Sequence, residues 1–230
     1  MKTIYTLLLL LLTIFPFAQN VPIDFELGGN GLNWTWTTFE NDTNPALEIV
    51  ANPDPSGINT SATVAKFTAL QSGQPWAGCE SMHGSDIGSF SFNNSNCTVS
   101  IMVWKSVISD VGIKFVDATN AAQPEIKIAN TLINQWEKIT FDFSSRIGVF
   151  PITKDQIVIF PDFDLGGRSQ DNIIYFDNVY GASSNTGFVN YNRSELVVSP
   201  NPAKDLLNIS ITNFNGNITT EIFDLTGVLV

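Results

Sequence analysis

The stretch N-I-I-Y-F-D-N-V-Y at residues 172–180 reads as the closing strand of a β-sandwich, with one acid, Asp177, at a place where a strand is expected to be apolar. Its counterpart is V-P-I-D-F-E-L at residues 21–27, where Asp24 and Glu26 interrupt another strand-like run at period two. If the first and last strands pair, Asp24, Glu26 and Asp177 converge. Three carboxylates at one place are tolerable only when a cation neutralises them, and calcium is the expected cation.

Between these two ends the chain is strand and turn. Residues 63–68, 98–105, 112–117, 125–129, 136–143 and 156–160 alternate or are rich in β-branched and aromatic side chains, and Gly, Pro, Asn, Asp and Ser clusters separate them. In W-E-K-I-T-F-D-F at residues 136–143, Ile139, Phe141 and Phe143 share one face and Lys138, Thr140 and Asp142 the other. A strand with a single core face is expected to look like this, and a slip of one residue would drive Asp142 inward. The fold class that follows is all-β, an antiparallel sandwich.

Composition narrows the function. With 43% hydrophobic and 14% charged residues and 17 Phe, the chain can bury a substantial core. Acids outnumber bases 22 to 11, for a net charge of -11, which argues against nucleic acid or an acidic membrane surface as a partner. A neutral ligand fits better. Lys2, the apolar run at residues 7–14 and Ala18 form an export signal over residues 1–18, with cleavage expected before Gln19. The run is too short to span about 30 Å of hydrocarbon, so a soluble protein delivered through the periplasm is expected. In that compartment Cys79 and Cys97 have two open readings, a disulfide or two buried hydrophobes on separate strands.

P-W-A-G at residues 75–78, S-I-M-V-W-K at 100–105, G-I-K-F at 112–115, W-E-K-I-T-F-D-F-S at 136–144 and I-Y-F-D-N-V at 174–179 together resemble galactose-binding-like jelly rolls. The likeness is to carbohydrate-binding modules of the family four and nine type and covers residues 19–182. The resemblance implies a jelly-roll sandwich, sugar binding, and a structural calcium near the first and last strands. Sugar binding needs flat aromatic faces with polar partners at their rim. Trp76, in a loop-like setting, and Trp104 are the expected stacking residues. The loop at residues 161–172 supplies Asp162, Asp164 and Arg168 as expected rim groups, the alternative being an Asp-Arg pair that staples a solvated turn.

Catalysis is not expected. No paired carboxylates of a glycosidase can be recognised in the sequence, and no nucleophile elbow accompanies His83. After Ala182 the chain becomes polar, and residues 183–194 read as a linker. Residues 195–230 carry a P-N-P turn with Pro200 and Pro202 and an I-F-D-L-T-G turn ending at Gly227. They resemble the carboxy-terminal sorting domain of the type nine secretion system of Bacteroidetes. The resemblance implies export to the cell surface or medium by the type nine machinery. Family members run further past this turn, so the domain is expected to be an incomplete β-sandwich and the chain a truncated one. The expected function is a non-catalytic polysaccharide-binding protein for a neutral glycan such as a β-glucan; the alternative is a structural or adhesive surface protein with the same sandwich.

Overall fold

The computed structural model describes residues 22–182, 196–199 and 208–211. The expected export signal, the linker and the D-L-T-G turn lie outside them. No α-helix occurs among the described residues, and the fold is the expected antiparallel jelly-roll sandwich. Its strands are β1 (Thr37–Phe39), β2 (Glu48–Ala51), β3 (Thr63–Ala69), β4 (Gly78–Glu80), β5 (Phe90–Ser91), β6 (Thr98–Lys105) and β7 (Asp110–Val116). They continue as β8 (Ile126–Ala129), β9 (Trp136–Asp142), β10 (Thr153–Lys154), β11 (Gln156–Phe163) and β12 (Asn172–Ala182). A front sheet runs β1-β4-β11-β7-β8 and a back sheet β2-β3-β12-β6-β9, with β10 and β5 as a small separate pair. In a second compact unit, β13 (Leu196–Ser199) and β14 (Asn208–Ile211) form an antiparallel hairpin.

Period-two alternation builds the core. Val99, Ile101 and Val103 of β6, Ile139 and Phe141 of β9, and Ile174 and Phe176 of β12 point inward from the back sheet, while Ile113, Ile157 and Ile159 do so from the front. Each such side chain contributes about 1.5–3 kcal/mol by leaving water. Lys138, Thr140 and Asp142 are exposed, so the register expected for residues 136–143 is the observed one. The two ends of the domain meet as expected, but through a single residue: Ile23 and Val179 exchange backbone hydrogen bonds of 2.9 and 3.1 Å. Residues 22–27 do not form a strand. Cys79 and Cys97 are both buried and unpaired, which resolves the two open readings in favour of buried hydrophobes.

One boundary differs from expectation. β11 does not stop before Pro161; a register irregularity between Phe160 and Phe163 absorbs the proline, and the strand runs on. Asp162 is therefore fully buried within a strand instead of standing on a loop. Arg168 donates from Nε to its Oδ2 at 2.8 Å, Asn172 Nδ2 donates to the same oxygen at 2.9 Å, and Lys105 Nζ lies 3.3 Å from Oδ1. Burial pushes the Asp162 carboxyl up, but Lys105 and the hydrogen bonds from Asn172, Ser109 and Arg168 outweigh it and hold it below the usual range. Burial lowers the Lys105 ammonium, against the pull of Asp162. Removing the shared anion strands two cations, so Asp162→Ala should cost about 3–5 kcal/mol in urea unfolding, and a loss under about 1 kcal/mol would mean the pairing is not needed.

Candidate functional site

The outer face of the front sheet carries an aromatic row. Phe39 faces Gly78 across β1 and β4, Phe160 faces Gly112 across β11 and β7, and Gly112 faces Lys127 of β8. A Cβ at Gly78 would lie 2.8 Å from Phe39 Cζ and 3.3 Å from Phe160 Cδ1, and one at Gly112 would lie 3.1 Å from Phe160 Cδ2. The two edges of the Phe160 ring thus rest over glycines on the neighbouring strands. Only residues without side chains allow that approach. Phe39 and Phe160 meet edge to face with centroids 5.7 Å apart, and Phe163 follows at 5.8 Å. Lys127 Nζ sits 3.9 Å above the Phe163 ring and Lys114 Nζ 5.6 Å from that of Phe160.

Trp76 extends this face. Ala77 and Cys79 are buried in the core, so alternation turns Gly78 and Glu80 outward, and Trp76, in the turn that Ala77 N closes on Gln74 O at 2.9 Å, is 41% exposed. Its backbone is pinned to the end of β11, where Asp164 N donates to Pro75 O at 3.1 Å. Asp164 is half-buried and its Oδ1 accepts from Gly166 N at 2.9 Å, closing its own turn. Trp76 and Asp164 are therefore brought together at one end of the front sheet.

The other expected sugar contacts are not on this face. Asp162 and Arg168 are buried and spend their polar atoms on each other, on Lys105 and Asn172, and on backbone carbonyls, because a carboxylate inside the sandwich requires a cation beside it. They cannot form a rim. Trp104 lies on the outer face of the back sheet, in a cross-strand row Glu48, Lys66, Tyr175, Trp104, Trp136. It is half-buried, edge to face with Tyr175 at 5.5 Å. Trp136 is buried, donating from Nε1 to Asn52 Oδ1 at 3.1 Å and Asp54 O at 2.9 Å, so the β2–β3 loop folds over this face. Trp34 and Trp36 pack partly buried against the core. Phe39, Phe160, Phe163, Lys114 and Lys127 were not singled out from the sequence. The available signal was a glycine interrupting β4 and β7 opposite an aromatic residue.

The three expected calcium ligands do not converge. Asp24 Oδ1 accepts from Glu26 N at 3.3 Å and Asn30 N at 3.0 Å, and Glu26 Oε1 accepts from Ala62 N at 2.5 Å and Thr63 N at 2.9 Å. Both are turned onto loop amides that would otherwise lack partners. No group of three His, Cys, Asp or Glu side chains suited to a metal forms among the described residues. Asp177 is fully buried, accepts from Asn178 N at 2.7 Å and Asn178 Nδ2 at 2.9 Å, and enters none of the ion pairs of the described residues. Burial, with a smaller push from the nearby Asp24 charge, raises its pKa to about 7.

Comparison with known proteins adds likeness of shape alone. No protein-family model matches the chain, and no curated protein matches it. Among solved structures, the chain is similar to a variant of the family 29 carbohydrate-binding module CBM29-2, at 10% identity and TM-score 0.43, covering 70% of this chain and 90% of that one. It is also similar to TmCBM61 in complex with β-1,4-galactotriose, at 10% identity and TM-score 0.42, covering 72% and 97%. A third is the arabinose-bound α-L-arabinofuranosidase MgGH51, at 11% identity and TM-score 0.49, covering 70% of this chain and 26% of the enzyme.

His83 bridges two loops at the opposite end of the front sheet, with Nδ1 2.7 Å from Asp155 Oδ1 and Nε2 3.1 Å from Asn120 Oδ1. Both neighbours are acceptors, so the doubly protonated ring satisfies both. The hydrogen bond to Asp155 leads in raising the His83 pKa above its ordinary 6.5. A raised folded-state pKa stabilises fully below the unfolded value, and the gain fades as pH rises through the folded value. His83→Ala should therefore cost more stability at pH about 5.5 than at about 8.5; equal costs in urea unfolding at both would show that the bridge does not depend on the charge.

Proposed function

We propose that the sandwich is a non-catalytic carbohydrate-binding module that lays a neutral polysaccharide, such as a β-glucan, across the outer face of the front sheet. The observation that carries this reading is exposed Trp76 just before the strand whose Gly78 lets Phe39 and Phe160 approach edge to face on the same sheet. A pyranose presents C–H groups to such rings and hydroxyls to groups at the rim. Glu80, Lys114, Lys127 and Asp164 supply both donors and acceptors there. Phe160 and Phe163 are now nearly covered, with the two lysine ammonium groups above them. A cation–π contact at an exposed site is worth about 0.5–1 kcal/mol, so a sugar ring displaces these lysines at little cost.

In this reading the chain is exported by the type nine route, with residues 195–230 as part of the sorting signal, to the cell surface or medium. The P-N-P and D-L-T-G motifs support that route. Calcium beside Asp177 remains part of the proposal, supported by a buried carboxylate that has no ion-pair partner among the described residues. A structural or adhesive role has one observation of its own: Ile108, Leu132 and Ile133 stand exposed on the β6–β7 and β8–β9 loops, which the Asn130 side chain ties together.

On gels containing laminarin, xylan or mannan, the full chain should be retarded by one glycan, and Trp76→Ala should weaken that retardation by about tenfold in affinity. Retardation unchanged in the variant would remove Trp76 from the site, and none on any glycan would favour the adhesive role. Calcium should raise the melting temperature of the wild type and not that of Asp177→Asn. A wild type indifferent to calcium and to chelator would end the metal proposal.

A further inference from the structure

At the end of the front sheet opposite Trp76, where Gln156 pairs with Val116, the loops enclose an open cleft of about 370 Å³. That volume is within the range of small-molecule sites, about 300–1,000 Å³. Phe150 and Ile152 form its apolar wall and are 68% and 56% exposed, so two large hydrophobic side chains face water beside a concavity. Asp117 and Thr119 stand on the β7–β8 loop and also line it.

The polar groups there are prearranged. Asp117 Oδ1 collects three donors, Thr119 N at 2.8 Å, Thr119 Oγ1 at 2.7 Å and Ala121 N at 2.9 Å. These bonds lock the turn and engage one oxygen, so Oδ2 is the one left for a further donor. The Thr119 hydroxyl bond leads in holding the Asp117 carboxyl below its usual range, which keeps it an acceptor in mildly acidic water. Lys154, the cationic side chain of the lining, is buried, with Nζ donating to Pro151 O and to Ile152 O at 3.1 Å. Asp155 is committed to His83. The cleft therefore offers an aromatic face and an anionic acceptor, and its ammonium is turned away.

The geometry points to a second sugar site in this cleft, taking one or two neutral sugar rings at the end of a glycan chain, with Phe150 as the stacking face and Asp117 accepting hydroxyl protons. An acidic sugar is disfavoured, since Asp117 repels it and the nearby cations spend their donors within the protein, Lys154 on Pro151 O and Ile152 O and His83 on Asp155 and Asn120. The site rests on the reading of the sandwich as a carbohydrate-binding module, but it uses different residues at the far end of the sheet. A chain held flat by the Trp76 face and a chain end held by the cleft are separate binding events.

The test is a nitrogen-15 NMR titration of the full chain with laminaritriose, xylotriose, mannotriose and, as the acidic probe, trigalacturonate. Amides of residues 117–119 and 152–155 report the cleft, and those of residues 76–80 and 112–114 the front face. One neutral trisaccharide should shift the cleft signals saturably. Phe150→Ala, a truncation of an exposed side chain, should weaken that response about fivefold or more while front-face shifts persist, and Asp117→Asn should do likewise. Trp76→Ala should leave the cleft response intact; if it abolishes both responses, there is one site and the inference is overturned. Cleft signals that no neutral trisaccharide moves, that trigalacturonate moves most, or that respond equally in Phe150→Ala also overturn it. Cleft shifts without front-face shifts would support this site and count against the sheet-face reading.

Discussion

Asp162 is a single carboxylate shared by two buried cations. It comes from β11 of the front sheet, while Lys105 and Asn172 come from β6 and β12 of the back sheet, so the charges join the two layers at one end of the sandwich. Taking such groups out of water is costly, and only close pairing with good hydrogen bonds offsets it. Arg168 also donates to Gln74 O at 2.9 Å and to Asp162 O at 2.5 Å. That holds the backbone just before Trp76. The turn that carries Trp76 is thus anchored by a buried ion pair.

From that anchor the two outer faces take different characters. On the front sheet, glycines at positions 78 and 112 remove the side chains that would lift Phe160. On the back sheet every position of the cross-strand row carries a large side chain, and the β2–β3 loop closes over Trp136. The first arrangement leaves a strip that Lys114 and Lys127 cover, and the second is packed by a loop and large side chains. The sugar site we propose is therefore the front face.

Much of the fold was legible in the residues. The strand at residues 136–142 was readable with its faces because polar and apolar residues alternate cleanly there, and the meeting of the two ends of the sandwich was readable because both stretches are apolar runs interrupted by acids. Pro161 misled, since a proline commonly ends a strand and the irregularity that accommodates it leaves no mark in composition. The same error placed Asp162 and Arg168 on a solvated loop. Trp76 was legible from its Pro-rich turn, whereas Trp104 was not, because alternation assigns it to a face without saying which face stays open.

By itself the sequence determined the class of fold, the strands and their inward faces, since these follow from period-two patterning and local turn chemistry. Only the tertiary structure decided which acids face cations, which aromatics reach solvent and which loops enclose a cleft. Those outcomes depend on contacts between residues far apart in the chain, such as Gln74 with Arg168 or His83 with Asp155. Local spacing does not encode them; they follow from how the two sheets and their loops pack.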